Sequence, residues 1–328
     1  MKNKTKRFLK NVLLVSLALS SVSIMGGCGS KKNDSLKIAV LSKKQAEVSN
    51  YWKIIKKGSE DAGKEIGAEV IFDAPQDPAN LEQQIELVNK YANEGVSAIV
   101  IAPIDKDALN DSLNAASENG IPIIAIDSDT NAESKKTCIS TDNYAGGKTA
   151  GKAAVDIAGG DIKAFIVSDS ETAQNTADRI RGFTEAASDG NIEVSDVQYC
   201  DSDRGKAKGI ALGAIKADDK NEIKVMFGAN EASTLGICDA VAEEGLEDTI
   251  SVIGFDCSDD VIDFMNKNVI DATVVQNPYN MGYLGVKNAQ KICNKESVSS
   301  AIDTGVTRVT LDNLNDKDIQ FLINPLGN

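Results

Sequence analysis

Residues 98–129, AIVIAPIDKDALNDSLNAASENGIPIIAIDSD, decide the fold. Ala98–Ile101 is an unbroken apolar run, as befits a strand covered on both faces. Asp107–Asn119 has helical spacing and stops at Gly120. Ile121–Ile126 is a second apolar run, with Pro122 near its start, where a missing N–H does least harm, and it ends in Asp127-Ser128-Asp129. Two buried strands joined by an amphipathic crossover helix form a parallel pair.

The same rhythm extends both ways. Upstream lie a strand at Lys37–Leu41, helical spacing over Tyr51–Ile66, a strand at Val70–Phe72, and a helix capped by Asp77 with Leu81, Ile85, Val88 and Tyr91 on one face. After Cys138 the alternation restarts: helix Asn143–Ala158, strand Ala164–Val167, helix Thr176–Ala187, strand Val194–Tyr199. Strands at Lys224–Phe227, Val252–Phe255 and Ala272–Val275 follow, with helices between. Two such runs predict an α/β protein of two doubly wound, Rossmann-like parallel-sheet lobes, and 328 residues are enough for both.

In open sheets of this kind ligands lie beyond the carboxyl ends of the strands. Those positions are polar throughout. Ser42 and then Tyr51 and Trp52 follow the first strand, and Asp127, Ser128 and Asp129 follow the fourth. In the second half come Ser168 and Asp169, Asp201, Asn230 and Glu231, Asp256, and Gln276 and Asn277. Carboxylates and amides hydrogen-bond hydroxyl pairs, and aromatic rings pack on a C–H face, so the set suits a polyhydroxylated ligand.

Composition removes other chemistry. The chain has no histidine, which excludes Ser-His-Asp and Cys-His catalysis and every His-ligated metal site. Of six cysteines, the five beyond Cys28 (Cys138, Cys200, Cys238, Cys257, Cys293) are odd in number and contain no CxxC. They read as small buried residues, with pairing left open, and no metal is expected. The glycine-rich stretch Gly146–Ala153 nearly spells a phosphate loop, but Ala153 stands where Ser or Thr must reach magnesium. It reads as a helix start whose glycines permit close packing. Leu41–Trp52 has no glycine, which disfavours a dinucleotide turn, and Asp201–Gly205 lacks the spaced oxygens of a calcium loop.

The amino terminus addresses the chain. Lys2, Lys4, Lys6, Arg7 and Lys10 precede an apolar run from Val12 to Met25, and Gly26-Gly27-Cys28 closes it, which reads as an export signal ending in a lipidated Cys28. Met25 stands where the lipoprotein pattern has Leu. The alternative is an uncleaved anchor; either way the rest of the chain lies outside the cytoplasm. Loss of residues 1–27 takes five basic and no acidic residues from a formal charge of −14, leaving −19, so nucleic acid is not an expected partner.

Tyr51-Trp52, Asp77-Pro-Ala-Asn80, Ala102-Pro103, Ile121-Pro122, Asp127, Thr141–Gly147, Arg179-Ile-Arg-Gly-Phe183, Gly228-Ala-Asn230, Gly254-Phe-Asp256 and Gln276 stand in the order of type I periplasmic sugar-binding proteins. The whole mature chain resembles that family, which includes ribose- and galactose-binding proteins. The resemblance implies two lobes joined by three hinge crossovers, near Thr141, Gln276–Asn277 and Thr304–Thr307. Residues 1–27 are then a signal peptide and 28–35 a tether. One lobe takes 36–141 and 277–305, the other 142–276 and 306–328. It further implies that Asp127, Arg179, Asn230, Asp256 and Gln276 hydrogen-bond a sugar and that Tyr51 and Trp52 stack on it. A lipid-anchored monomer without cofactor would deliver that sugar to the permease and ATPase of an ABC importer.

Two departures stand out. Ser128 and Asp129 follow Asp127 where ribose-type proteins have Arg, and both are counted with the ligand set. Ser202 replaces an aromatic between Asp201 and Asp203, with Tyr279 or Tyr199 as candidate substitutes. Plainer readings run alongside: Asp127 and Asp256 as turn caps, Arg179 as a surface partner of Asp178 or Glu185, Trp52 as a core residue spaced with Ile55. A sensor presenting its closed form to a membrane kinase or chemoreceptor is the alternative function. A lactose-repressor-type regulator would need a helix-turn-helix where the export signal stands. An enzyme would have only a carboxylate pair such as Asp127 and Asp256 to work with.

Overall fold

The computed structural model describes residues 35–77, 80–171 and 173–327. The signal segment, Cys28, most of the tether, and Pro78 and Ala79 lie outside the described residues. Among the described residues there are twelve strands and ten α-helices, for the most part alternating. The first run is β1 (Lys37–Leu41), α1 (Asn50–Ile66), β2 (Glu69–Asp73), α2 (Leu81–Asn93), β3 (Ala98–Ile101), α3 (Asn110–Glu118), β4 (Ile123–Ile126) and β5 (Lys135–Ser140). The second is α4 (Asn143–Ala158), β6 (Ile162–Ser168), α5 (Gln174–Asp189), β7 (Ile192–Tyr199), α6 (Arg204–Ala217), β8 (Ile223–Gly228), α7 (Glu231–Glu244), β9 (Ser251–Phe255), α8 (Asp259–Asn266) and β10 (Ala272–Gln276). The chain closes with α9 (Pro278–Cys293), β11 (Ala301–Asp303), β12 (Val306–Val309) and α10 (Lys317–Ile323).

These strands make two six-stranded sheets in the orders β11-β5-β4-β3-β1-β2 and β12-β10-β9-β8-β6-β7. Each sheet is covered on both faces, so each lobe has two cores. That is why β3 and β4 are apolar at every position and wholly buried. The switch points, where consecutive connections leave on opposite sides, lie at β1 and β6, and the cleft residues sit at the carboxyl ends around them. The chain passes between sheets three times: after β5, after β10, and between β11 and β12.

The sequence predicts parallel sheets, whereas in the second sheet β12 runs antiparallel to β10. A two-residue connection from β11 leaves room for no crossover helix, so β12 joins the edge in the reverse sense. Two further corrections concern helix starts. Asn80, not Asp77, caps α2, its side chain accepting from the Gln83 N–H. The helix expected from Asp107 begins at Asn110, because the Asp105 carboxylate accepts the N–H groups of Asp107 and Ala108 at 2.8 Å and holds a separate turn there.

Each lobe's first helix packs against the helix that follows a crossing. A Cβ at Gly58 of α1 would lie 2.1 Å from the Tyr279 carbonyl oxygen, and one at Gly282 of α9 equally close to that of Ile55. In the other lobe a Cβ at Gly147 of α4 would lie 2.1 Å from the Arg179 carbonyl oxygen, and one at Gly182 of α5 2.2 Å from that of Tyr144. Only glycine lets backbones approach so closely. The near-phosphate-loop sequence is this packing surface.

Candidate ligand-binding cleft

Asp127 and Asp256 occupy equivalent places in the two lobes. Each directly follows an apolar strand, with left-handed φ values of 62° and 72°. Each N–H is tied to the next strand, Asp127 to the Ile139 carbonyl at 3.1 Å and Asp256 to the Val274 carbonyl at 2.9 Å. A non-glycine residue in this region costs on the order of 1–3 kcal/mol and persists where the surroundings impose it. The shared distortion gives both lobes an inward carboxylate at the mouth of the sheet.

Their electrostatic settings differ. The Asp127 carboxylate accepts from the Tyr51 hydroxyl at 2.7 Å and pairs with the Lys43 ammonium at 2.8 Å, and Ser128 Oγ donates to it at 3.2 Å. Burial opposes its ionisation, but the Lys43 charge and these hydrogen bonds outweigh it and hold its carboxyl below the usual value. Burial also dominates at Asp256, and there it prevails. The Arg179 guanidinium, 3.9 Å away, and the Gln276 amide, donating at 2.6 Å, only partly offset it, while Asp127 adds repulsion. The Asp256 carboxyl is raised. Burial, then the Asp127 charge, lifts the Tyr51 phenol well above its ordinary value, so it stays a donor.

Arg179 points inward. It is 3% exposed, its Nε donates to Asn143 Oδ1 and its Nη1 to the Ala229 carbonyl, each at 2.9 Å, and its guanidinium lies 3.8 Å from the Phe255 ring centroid. Its surface alternatives have other partners: Asp178 pairs with Arg181, and Glu185 with Lys148. Gln276 spans two crossings, accepting from Thr141 Oγ1 at 2.8 Å while donating to Asp256. Asn230 caps α7 in a capping box with Ser233, and its free amide donates to Ser202 Oγ at 3.5 Å.

Three sequence-derived expectations fall elsewhere. Trp52 is 5% exposed and belongs to the core beneath β1 with Ile55, meeting Tyr51 only edge-on at 5.3 Å. Its helical spacing to Ile55 sets it on the inner face of α1. Asp129 is engaged outside the Asp127–Lys43 cluster, pairing with Lys135. Tyr279 does not replace the missing aromatic wall; it stacks on Tyr283 and its hydroxyl donates to Asp61 at 3.1 Å.

Lys43 was missed by sequence reasoning, which passed from Ser42 to Tyr51. Its signal was position, two residues beyond the switch-point strand. It supplies the cation that Ser128 cannot, and its ammonium also donates to Ser128 Oγ at 2.5 Å. Glu231, beside Asn230, reaches the same space; burial, with repulsion from Asp256 and Asp260, raises its carboxyl. A cavity of about 80 Å³ lies between the lobes, with Tyr51 and Ile54 on one side and Glu231 and Asp256 on the other. The five described cysteines are free. No group of acidic or thiol side chains among the described residues is placed to hold a metal ion.

Comparison with known proteins places this architecture. A family model described as periplasmic binding protein domain matches residues 38–297. The ribose import binding protein RbsB of Bacillus subtilis is 29% identical over 249 residues, covering 76% of this chain and 79% of that protein. A carbohydrate transporter solute binding protein from Agrobacterium radiobacter, solved in complex with D-arabinose, is 30% identical with a TM-score of 0.80, covering 89% of this chain and all of that one. An ABC transporter solute binding protein from Agrobacterium vitis, bound with alpha-D-tagatopyranose, is 28% identical with a TM-score of 0.79, covering 88% of this chain and 99% of that one.

Proposed function

This chain belongs to the periplasmic binding protein family, and from that premise we propose that it captures a monosaccharide between its lobes and delivers it to an ABC importer. The observation that carries the reading is the pair of left-handed aspartates, each with its own cation, Lys43 beside Asp127 and Arg179 beside Asp256. Carboxylates accept hydrogen bonds from vicinal hydroxyls; Lys43 favours the charged form of Asp127, and Arg179 partly offsets the burial of Asp256. In this reading Asp127, Ser128 and Lys43 serve one edge of the sugar, and Arg179, Asn230, Asp256 and Gln276 the other. Tyr51 covers a ring face. Trp52 and Asp129 take no part.

Neither lobe alone desolvates a sugar, so contacts made by both bias an open-closed equilibrium toward closed. Gln276 ties Thr141 at one crossing to Asp256 in the cleft, which couples ligand contact to hinge geometry. A permease with its ATPase then reads the closed form. The family works outside the cytoplasm, and among the described residues no helix is long and apolar enough to cross a membrane. The basic, apolar and Gly-Gly-Cys28 segments support cleavage and lipid attachment at Cys28.

A thermal-shift screen of the full chain in detergent against pentoses, hexoses, polyols, nucleosides and amino acids tests this. The expected result is a shift with at least one monosaccharide that Asp256→Ala abolishes while the variant still melts cooperatively. A shift with another class alone, or an undiminished sugar shift in Asp256→Ala, overturns the reading.

A further inference from the structure

The inter-lobe cavity is short of positive charge and of free donors. Glu231 and Asp256 both line it, and hydrocarbon from Ile54 and from Leu322 and Ile323 of α10 borders the same space. The two acids are neighbours, since the Glu231 backbone N–H hydrogen-bonds the Asp256 carboxylate. No cation among the described residues is within ion-pair distance of Glu231, and Lys44, exposed on the loop after β1, acts on it only from afar. The cation of Asp256 is also held off: Arg179 Nη1 stands 3.9 Å away, while its Nε and Nη1 donate to Asn143 and the Ala229 carbonyl.

The donors bordering the cavity are already engaged. Tyr51 gives its hydroxyl proton to Asp127, Gln276 gives its amide to Asp256, and the Cys257 thiol lies against the Ser258 carbonyl. What faces the space is a pair of acceptors beside hydrocarbon, where repulsion between like charges is little screened. Burial raises both carboxyls, and the Asp256 charge adds to the effect at Glu231. A plainer reading makes Glu231 a first-turn acid of α7, where a helix favours negative charge. Asn230 already caps that end, however, and Glu231 is half-buried on a cavity shared with Tyr51 and Ile54 of the other lobe.

At about 80 Å³ the cavity takes a substituent and not a ring, for which roughly 300 Å³ is usual. A hydroxyl there gives one proton to one carboxylate and compensates neither charge. An ammonium brings three donors and a positive charge in a compact group, which suits two neighbouring carboxylates.

We infer that Glu231 contacts the ligand and sets its specificity, and that the cleft takes an amino sugar whose ammonium lodges between Glu231 and Asp256. The inference rests on the sugar-binding reading above and names the substrate class within it. Charge-assisted hydrogen bonds of this kind are expected to favour the amino sugar over its hydroxyl parent by about tenfold to a hundredfold.

The test is calorimetry on the full chain in detergent micelles at neutral pH, comparing D-glucosamine, D-galactosamine and D-mannosamine with D-glucose, D-galactose and D-mannose, and adding D-ribose and D-allose as further neutral sugars. It is repeated on Glu231→Gln, which keeps the shape and removes the charge, with a thermal melt to establish that the variant is folded. The expected result is tighter binding of an amino sugar than of its parent, and a preference that Glu231→Gln brings toward equality. In the wild type alone the preference is expected to fall as pH rises through the titration of the sugar's own amine, which keeps the test decisive if the variant does not fold. Equal binding within every pair, tighter binding of the parent, binding of D-ribose or D-allose alone, or a preference indifferent to pH or to Glu231→Gln overturns the inference and leaves sugar binding standing. Folded protein that gives no heat with any of these sugars, yet shifts with a ligand of another class, removes the sugar reading and this inference with it.

Discussion

Asp127 and Asp256 share a backbone distortion and have opposite electrostatics, which makes opposite predictions for one substitution. Asn tolerates the left-handed region as well as Asp does, so Asp→Asn probes charge with little change in backbone cost. The folded value of Asp127 is lowered, so its ionised form stabilises the fold above its unfolded pKa, and that contribution is lost as pH falls through the folded value. Asp256 is raised, so below its unfolded pKa it contributes nothing, and its ionisation costs stability as pH rises toward and past the folded value. At neutral pH Asp127→Asn is expected to lower the melting temperature and Asp256→Asn to raise it, with both differences shrinking toward acid pH. Melts of the two variants across pH check this; equal shifts of one sign would contradict it. Asp127, Asp256 and Gln276 stood out as cleft candidates because they lie at strand ends of a doubly wound sheet, whereas Arg179, inside α5, came only from the order of motifs shared with the family. Lys43 was not, since a loop lysine ordinarily reads as solvated surface. Trp52 read two ways, since its order in the chain matched a motif while its spacing to Ile55 matched a core, and the packing buries it in the core.

Among the elements, the paired helices carry the cleft. Tyr51 lies on α1, Arg179 on α5, and each of these helices is pressed against the helix after a crossing through glycines that admit no side chain. Gly182→Ala would force α4 and α5 apart near Arg179. The expected cost is about 1–3 kcal/mol of stability, the usual penalty of overpacking, together with weakened sugar binding from the displaced guanidinium. Chemical denaturation and titration on the same variant check both; wild-type values would contradict the helix-pair account. The central strands were readable because burial on both faces makes them continuously apolar. β5, β11 and β12 escaped because they are short, partly exposed or at sheet edges, where the apolar signal thins. The start of α3 escaped because Asp105 forms its own turn, a local competition that periodicity does not register.

For the molecule as a whole, three crossings join the two lobes, and the proposed lipid attachment at Cys28 makes a prediction at this scale. Cys28→Ser is expected to shift the protein from the membrane fraction to the soluble fraction on cell fractionation; persistent membrane association would favour an uncleaved anchor. The alternation of the central strands with their helices was visible at this scale. The approach of the carboxy-terminal helix to the cleft was not, because nothing in a seven-residue amphipathic segment states which cavity it will face. One sugar shared by both lobes would be visible in a crystal structure of the complex. The expected result is ring hydroxyls within hydrogen-bond distance of both Asp127 and Asp256, with Tyr51 over a ring face. A ligand bound to one lobe alone, with the opposite aspartate still engaged only by its own cation, would contradict it.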